Sequence, residues 1–348
     1  MKTIRVAMLG FGNVGQSFAS LLVEKQTELR EKFDTEVRVV AITTKTRGIM
    51  VDAWGIDLEY ALNVIQSHKT FPASSQPRHL KTALDVAETV EYDVLIEMTP
   101  LEYASGLAAT AHVEAALKRG KDVICTNKGP LAWHYRELTE LAETKGCKFM
   151  YETTVLDGTP LFSIVRENLK LCKVIEIKGI LSRTLNYMLS GMERGLSQEE
   201  ILEEGKKRGF IEANPQADLT GQESLIKMVA LANTLMDADM TPKDTDALDV
   251  ECSQGITMKD IKDAEAKGEV IKYICRAYRK GGDMKISVKP ERISRFDSYA
   301  SVSGTSLAVS ITTDLMGTMT IIEESADVEQ TGYGVFADLL TIIETKEA

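Results

Sequence analysis

Along the first 150 residues, short runs of apolar and β-branched side chains alternate with longer stretches in which apolar residues return every three or four positions. That rhythm predicts strands at 4–9, 37–42, 93–97, 122–126 and 148–151, and helices at 16–33, 102–119 and 131–145. Gly120 and Gly146 follow the last two helical patterns, where a left-handed cap is wanted. Strict alternation of strand and helix builds an α/β domain, a parallel sheet covered by helices. The segment 54–91 interrupts the rhythm with Phe71-Pro-Ala-Ser-Ser-Gln-Pro77 and reads as an inserted loop and helix.

Beyond about residue 155, strands such as 174–180 and 284–288 mix with helices in runs, which predicts a second, α+β domain. Ser197-Gln-Glu-Glu200 has the spacing of a capping box, and its helix is expected to end at Lys206-Lys-Arg-Gly209. From Leu307 on, the pattern predicts a strand at 317–323 and a final helix at 334–344. There is no internal repeat, low-complexity tract or flexible linker. The expected organisation is a first domain over 1–150, completed by about 307–348, and a second over 151–306.

Composition narrows the partners. Acidic side chains outnumber basic ones 52 to 41 and the net charge is -11, so most of the surface repels nucleic acid and anionic membranes. No apolar run approaches the roughly 20 residues of a membrane helix, and the N-terminal strand breaks into a glycine turn before a signal-peptide core could form. A cytoplasmic protein acting on small molecules is expected. The five cysteines (Cys125, Cys147, Cys172, Cys252, Cys275) are widely spaced without a Cys-x-x-Cys pair, which predicts reduced, packed thiols.

Within this frame, residues 4–20 read as a buried strand, then Gly10-Phe-Gly12-Asn13-Val14-Gly15, then an amphipathic helix. This is the context of a Rossmann dinucleotide-binding turn. Gly10 permits the tight turn, Gly12 lets a pyrophosphate approach the backbone, Gly15 lets helix and strand pack, and the helix N-terminus offers N–H donors. At the end of the second strand, where an NAD site usually carries a carboxylate for the ribose 2′-hydroxyl, stand Thr44, Lys45 and Arg47. Hydroxyl and cationic donors suit a 2′-phosphate and favour NADP, while the same residues also fit a solvated basic turn that tolerates NAD. Two further strand ends, Glu97-Met-Thr99-Pro100 and Thr126-Asn-Lys128-Gly-Pro130, should face the same crevice, and Lys128 could reach the nicotinamide or a substrate oxygen.

The chemistry should lie in the stretch from Gly209 to Asn233. From Gly221 it reads as a helix apolar around most of its circumference, with Glu223 and Lys227 four apart on one face that should meet a cleft. An i,i+4 surface ion pair is the plainer alternative. A lysine so placed gives a proton to a carbonyl oxygen as hydride arrives at carbon, or takes it back in reverse. Oxidation needs the neutral amine, which predicts an alkaline optimum in that direction. Glu212 and Asp218, anionic and just before the helix, suit a substrate ammonium group. The four histidines (His68, His79, His112, His134) show no metal-ligand spacing and are expected as surface or capping groups.

Taken together, Leu9-Gly-Phe-Gly-Asn-Val-Gly15, Glu97-Met-Thr-Pro100, Thr126-Asn-Lys-Gly-Pro130, Tyr151-Glu-Thr-Thr-Val155, Lys178 to Tyr187, and Glu212-Ala-Asn-Pro215 through Asp218, Gly221 and Lys227 resemble the homoserine dehydrogenase family over nearly the full chain. The resemblance implies an NAD(P)-dependent oxidoreductase of aspartate-family amino-acid biosynthesis, with a second domain that binds substrate and dimerises. It implies Lys227 as catalytic lysine beside Glu223, Lys128 as a second active-site lysine, Glu212 and Asp218 near the substrate amino group, and Thr184 near the substrate. It also implies a monovalent cation, sodium or potassium, held by Glu152 and the carbonyls of Val155, Asp157 and Thr159. Four places depart from the family pattern: Glu223 replaces an aspartate, Arg183 a glycine, Phe210 a tyrosine, and 323–332 departs from the glycine-rich stretch expected near the cofactor. These leave open a different hydroxy acid, its extra anionic group clamped by Arg183, and a non-catalytic dinucleotide-binding redox sensor. The C-terminal regulatory domain of some relatives, with its threonine feedback, is not expected.

Overall fold

The computed structural model describes residues 1–72, 75–77, 79–209, 211, 215–325 and 327–345. It divides into two units, Met1–Phe162 with the segment from Asp327 on, and Ser163–Ala326.

The first unit is built on six strands: β1 (Lys2–Leu9), β2 (Thr35–Thr44), β3 (Gly48–Val51), β4 (Val94–Glu97), β5 (Asp122–Cys125) and β6 (Phe149–Met150), in the order β3-β2-β1-β4-β5-β6. All neighbours run parallel except β3, which folds back antiparallel on β2. Strand β1 shows why the sheet is covered on both sides. Val6 and Met8 join one apolar core with helices Asn13–Phe33, Leu58–Gln66 and Val328–Thr345, while Ala7 and Leu9 join another with helices Ala83–Thr89, Leu107–Lys118 and Tyr135–Lys145. A strand buried on both faces must be apolar at every position, and β1 reads so from Val6 to Leu9. The order reverses at β1, so the carboxyl ends of β1 and β4 open a crevice between oppositely directed connections.

Boundaries differ from expectation for local reasons. The helix expected from 102 begins at Leu107, because the Glu102 carboxylate takes the N–H groups of Ala104 and Ser105 and holds a turn in front of it. The helix expected over 131–145 is two, Lys128–Trp133 and Tyr135–Lys145, broken where His134 leaves the helical region at φ -139, ψ 22. Strand β3 was not anticipated.

The second unit carries β7 (Val174–Ile180), β8 (Leu248–Val250), β9 (Glu269–Lys280), β10 (Asp283–Ser294), β11 (Leu307–Thr313) and β12 (Gly317–Glu323), in the order β12-β11-β7-β9-β10-β8. Pairing is antiparallel except between β8 and β10. Helices Arg183–Glu193, Gln222–Met236 and Met258–Glu265 pack on β9. The capping box at Ser197 and Glu200 is formed.

The expected return of the chain from about 307 is corrected here. Strands β11 and β12 belong to the second sheet through β7, and only the segment from Asp327 joins the first unit. There, helix Val328–Thr345 lies against helix Asn13–Phe33 closely enough that a Cβ on Gly332 would stand 2.3 Å from Ser17 Oγ.

Candidate active site

In the first unit the turn after β1 lines a cavity of about 850 Å³ with Gly12, Thr43 to Arg47, Lys81 to Ala83 and Met98 to Glu102. Gly10 lies at φ +98, and a Cβ there would stand 2.5 Å from the Met98 carbonyl oxygen, so this turn admits only glycine. Nothing among the described residues lies within 4 Å of a Cβ built on Gly12, whereas one on Gly15 would press on the Gly10 carbonyl at 3.0 Å. Asn13 and Val14 open helix Asn13–Phe33, which has no side-chain cap and no acid in its first turn, so its leading N–H groups and partial positive charge remain for an anion.

At the end of β2, Thr44 donates to the Gly48 carbonyl at 3.0 Å and accepts the Arg47 N–H at 2.8 Å, closing the hairpin to β3. Arg47 turns its guanidinium to the Lys69 carbonyl at 3.0 Å, and Lys45 lies exposed on the cavity wall. The ends of β4 and β5 are tied together by Asn127, which caps the helix of Lys128 by accepting the Gly129 N–H at 2.9 Å and donates to the Thr99 carbonyl at 2.8 Å. Thr99 and Pro100 line the cavity, and Lys128 is half-buried at its helix start.

After β6, Glu152 is 4% exposed, and one carboxylate oxygen accepts the N–H groups of Leu161 and Phe162. Asp157, at φ 44 in the same loop, accepts from Thr331 Oγ1 at 3.3 Å. Asp338 of the last helix accepts the Glu152 N–H at 3.0 Å.

The second unit holds the other cluster. Helix Gln222–Met236 buries Leu225, Ile226, Met228, Val229, Leu231 and Ala232, while Glu223 and Lys227 alone in its first two turns after Gln222 stay half-buried. Each fully buried aliphatic side chain contributes about 1.5–3 kcal/mol, so the helix is held firmly and its lysine with it. The Lys227 amine donates to the Leu181 carbonyl at 2.8 Å. Asp218 accepts from Thr184 Oγ1 at 2.6 Å and from Ser182 Oγ at 3.2 Å. The Ser182 hydroxyl also accepts the Leu185 N–H at 3.2 Å, so the cap of helix Arg183–Glu193 places the carboxylate's partners. Burial, and then the charge of Glu223, push the Asp218 carboxyl above the ordinary aspartate range, against the pull of Thr184, Lys227 and Ser182. Arg183, half-buried, is the first residue of that helix. Beneath the cluster Cys275 is fully buried, its thiol pushed up to about 12 by loss of solvent. Glu212 and Phe210 lie outside the described residues.

A family model described as homoserine dehydrogenase matches residues 160–340, and one described as homoserine dehydrogenase, NAD binding domain, matches 10–152. The chain belongs to the homoserine dehydrogenase family. A homoserine dehydrogenase of Methanocaldococcus jannaschii is 32% identical over 97% of this chain and 98% of its own. The NAD(+)-dependent homoserine dehydrogenase of Pseudomonas canavaninivorans is 31% identical over 98% and 97%. The crystal structure of a putative homoserine dehydrogenase from Archaeoglobus fulgidus superposes with TM-score 0.84 at 31% identity, over 98% of this chain and 99% of that one. The protein is therefore an NAD(P)-dependent oxidoreductase of the homoserine and aspartate-semialdehyde type, with its nicotinamide-binding domain at the N-terminus. Among the described residues, no helix is long and apolar enough to cross a membrane.

Three groups in these clusters were missed by sequence reasoning. The Leu181 carbonyl had no side-chain signal, and Ser182 was overlooked although serine before a helical pattern is a cap signal. The third is His112, expected at the surface. It is 8% exposed, lines the cavity, and its Nδ1 lies 2.6 Å from the fully buried carboxylate of Glu97. An acid ending the apolar run Val94-Leu-Ile-Glu97 requires a buried partner, and that requirement was the available sign.

Proposed function

We propose that the protein interconverts L-homoserine and L-aspartate 4-semialdehyde in the cytoplasm, Lys227 exchanging the proton. The observation that carries this reading is the Lys227–Asp218–Thr184 cluster at the head of one buried helix in a chain of this family. A neutral lysine amine has two N–H bonds and one lone pair. With one N–H given to the Leu181 carbonyl, the lone pair is oriented to accept the proton of the substrate's C4 hydroxyl as that carbon is oxidised. The nicotinamide, when bound, takes the hydride from the same carbon. In the other direction the protonated amine returns its proton to the carbonyl oxygen. Asp218, with Glu212, holds the substrate ammonium, Thr184 and Ser182 hold Asp218 in place, and Lys128 meets the substrate or the nicotinamide from the end of β5.

For the cofactor, the lack of an acid at the end of β2 and the exposed Lys45 on the cavity wall favour NADP. Lys45 is assigned to the 2′-phosphate, with Arg47 and Thr44 holding the hairpin that presents it. Substituting Lys45 by Ala should lower kcat/KM for NADP about tenfold and leave NAD nearly unchanged. The buried Glu152 and the carbonyls of Val155, Asp157 and Thr159 form an all-oxygen donor set suited to sodium or potassium. A homodimer is assigned from the family.

Purified protein assayed with L-homoserine and NADP tests the reading directly. Reduction of NADP with homoserine supports it. Turnover only with a hydroxy acid carrying a further anionic group transfers the site to that substrate, with Arg183 as its clamp.

A further inference from the structure

The Glu97–His112 pair is built too deliberately for a surface histidine and is unused by the chemistry above. Glu97 ends β4 with 0% exposure, and its two oxygens divide their work. One accepts both the N–H and the hydroxyl of Thr99, locking the turn that carries Met98, Thr99 and Pro100 along the cavity. The other meets Nδ1 of His112, on helix Leu107–Lys118. A carboxylate can only accept, so Nδ1 carries the hydrogen and the neutral imidazole keeps its lone pair at Nε2. Nε2 has no hydrogen-bond partner among the described residues and is not sealed from solvent, in a ring 11% exposed on the cavity wall. Nearby charge is real: Glu97 is one cause of the raised thiol of fully buried Cys125, after burial itself.

An acceptor fixed by a buried carboxylate and left open on one side is matched to a ligand donor. The phosphates of a dinucleotide offer only lone pairs, whereas its riboses offer hydroxyl hydrogens. We propose that His112 is a cofactor-positioning residue whose Nε2 accepts a hydrogen bond from a ribose hydroxyl of the bound dinucleotide, with Glu97 setting both the tautomer and the adjoining turn. The inference rests on the reading of this cavity as the cofactor's place.

The test compares wild type with His112→Asn and His112→Gln by NADPH fluorescence titration and steady-state kinetics. Asparagine keeps a donor toward Glu97 but has nothing at the Nε2 position, while the longer glutamine can bring its amide oxygen there. The Asn variant should fold, bind NADPH about threefold to tenfold more weakly and raise the cofactor KM alike, with the homoserine KM unmoved, since one neutral hydrogen bond is lost. The Gln variant should recover most of that affinity. Melting temperatures separate any loss of folding from loss of contact. Binding by the Asn variant within twofold of wild type, or equal losses in both variants, overturns the inference. Failure of wild type to bind NADPH overturns instead the reading of the cavity, and this inference with it. With the hypoxanthine analogue of NADPH, which lacks the adenine amino group, the ratio of wild type to Asn variant should persist; its collapse would move the contact to the base and overturn the ribose assignment.

Discussion

Asp218 shows most plainly how one residue's surroundings become a measurable property. Burial and the Glu223 charge favour its neutral form, so it loses its charge at a higher pH than an ordinary aspartate. If it holds the substrate ammonium, the KM for homoserine should climb as pH falls through that raised value, and Asp218→Asn should show a high KM without this acidic limb. A limb unchanged in the Asn variant would assign it to another group. The sign for stability runs the opposite way from a salt-bridged acid. A folded-state pKa above the unfolded one favours the fold fully below about pH 4 and loses that benefit as the carboxyl ionises, so Asp218→Asn should melt no lower than wild type at pH 7. The placing of Asp218 and Lys227 was legible from spacing and apolar surroundings. Their partners were not, because a backbone carbonyl such as Leu181 leaves no trace in residue identities.

Among the elements, the glycine turn and its flanking strand and helix were legible because each position has a distinct steric task, and only Gly10 is held at both a positive φ and a forbidding approach to a carbonyl. The long β9–β10 hairpin escaped notice although Gly281-Gly282 between two strand-like runs is a hairpin signal. Charged side chains at Lys272, Arg276 and Glu291 obscured its alternation. Arg276 there sits between Glu176 at 2.8 Å and Glu291 at 2.9 Å, which drives its already high pKa further up. The loop after β6 depends on a contact that periodicity cannot register. A Cβ on Gly158 would fall 1.8 Å from the Gln330 carbonyl oxygen, so Gly158→Ala must displace the start of the last helix. A loss of about 1–3 kcal/mol is expected, read as a lower denaturant midpoint with unchanged slope. An unaltered midpoint would mean that the last helix is not held so closely there.

For the whole molecule, the alternating half was readable from hydrophobic rhythm because a doubly covered parallel sheet leaves long apolar runs. The return of the chain to the first unit at Asp327 rather than near 307 was not, since strand patterns do not say which sheet they join. Family membership decides the class of chemistry, and the account stands on the assignment of the proton to Lys227. The most direct measurement is the initial rate of NADP reduction by L-homoserine for wild type and Lys227→Ala, with NADPH affinity determined for both. Turnover by wild type, a 10²- to 10⁴-fold lower kcat in the variant and equal NADPH affinity are expected. A Lys227→Ala enzyme that keeps its kcat would contradict the account.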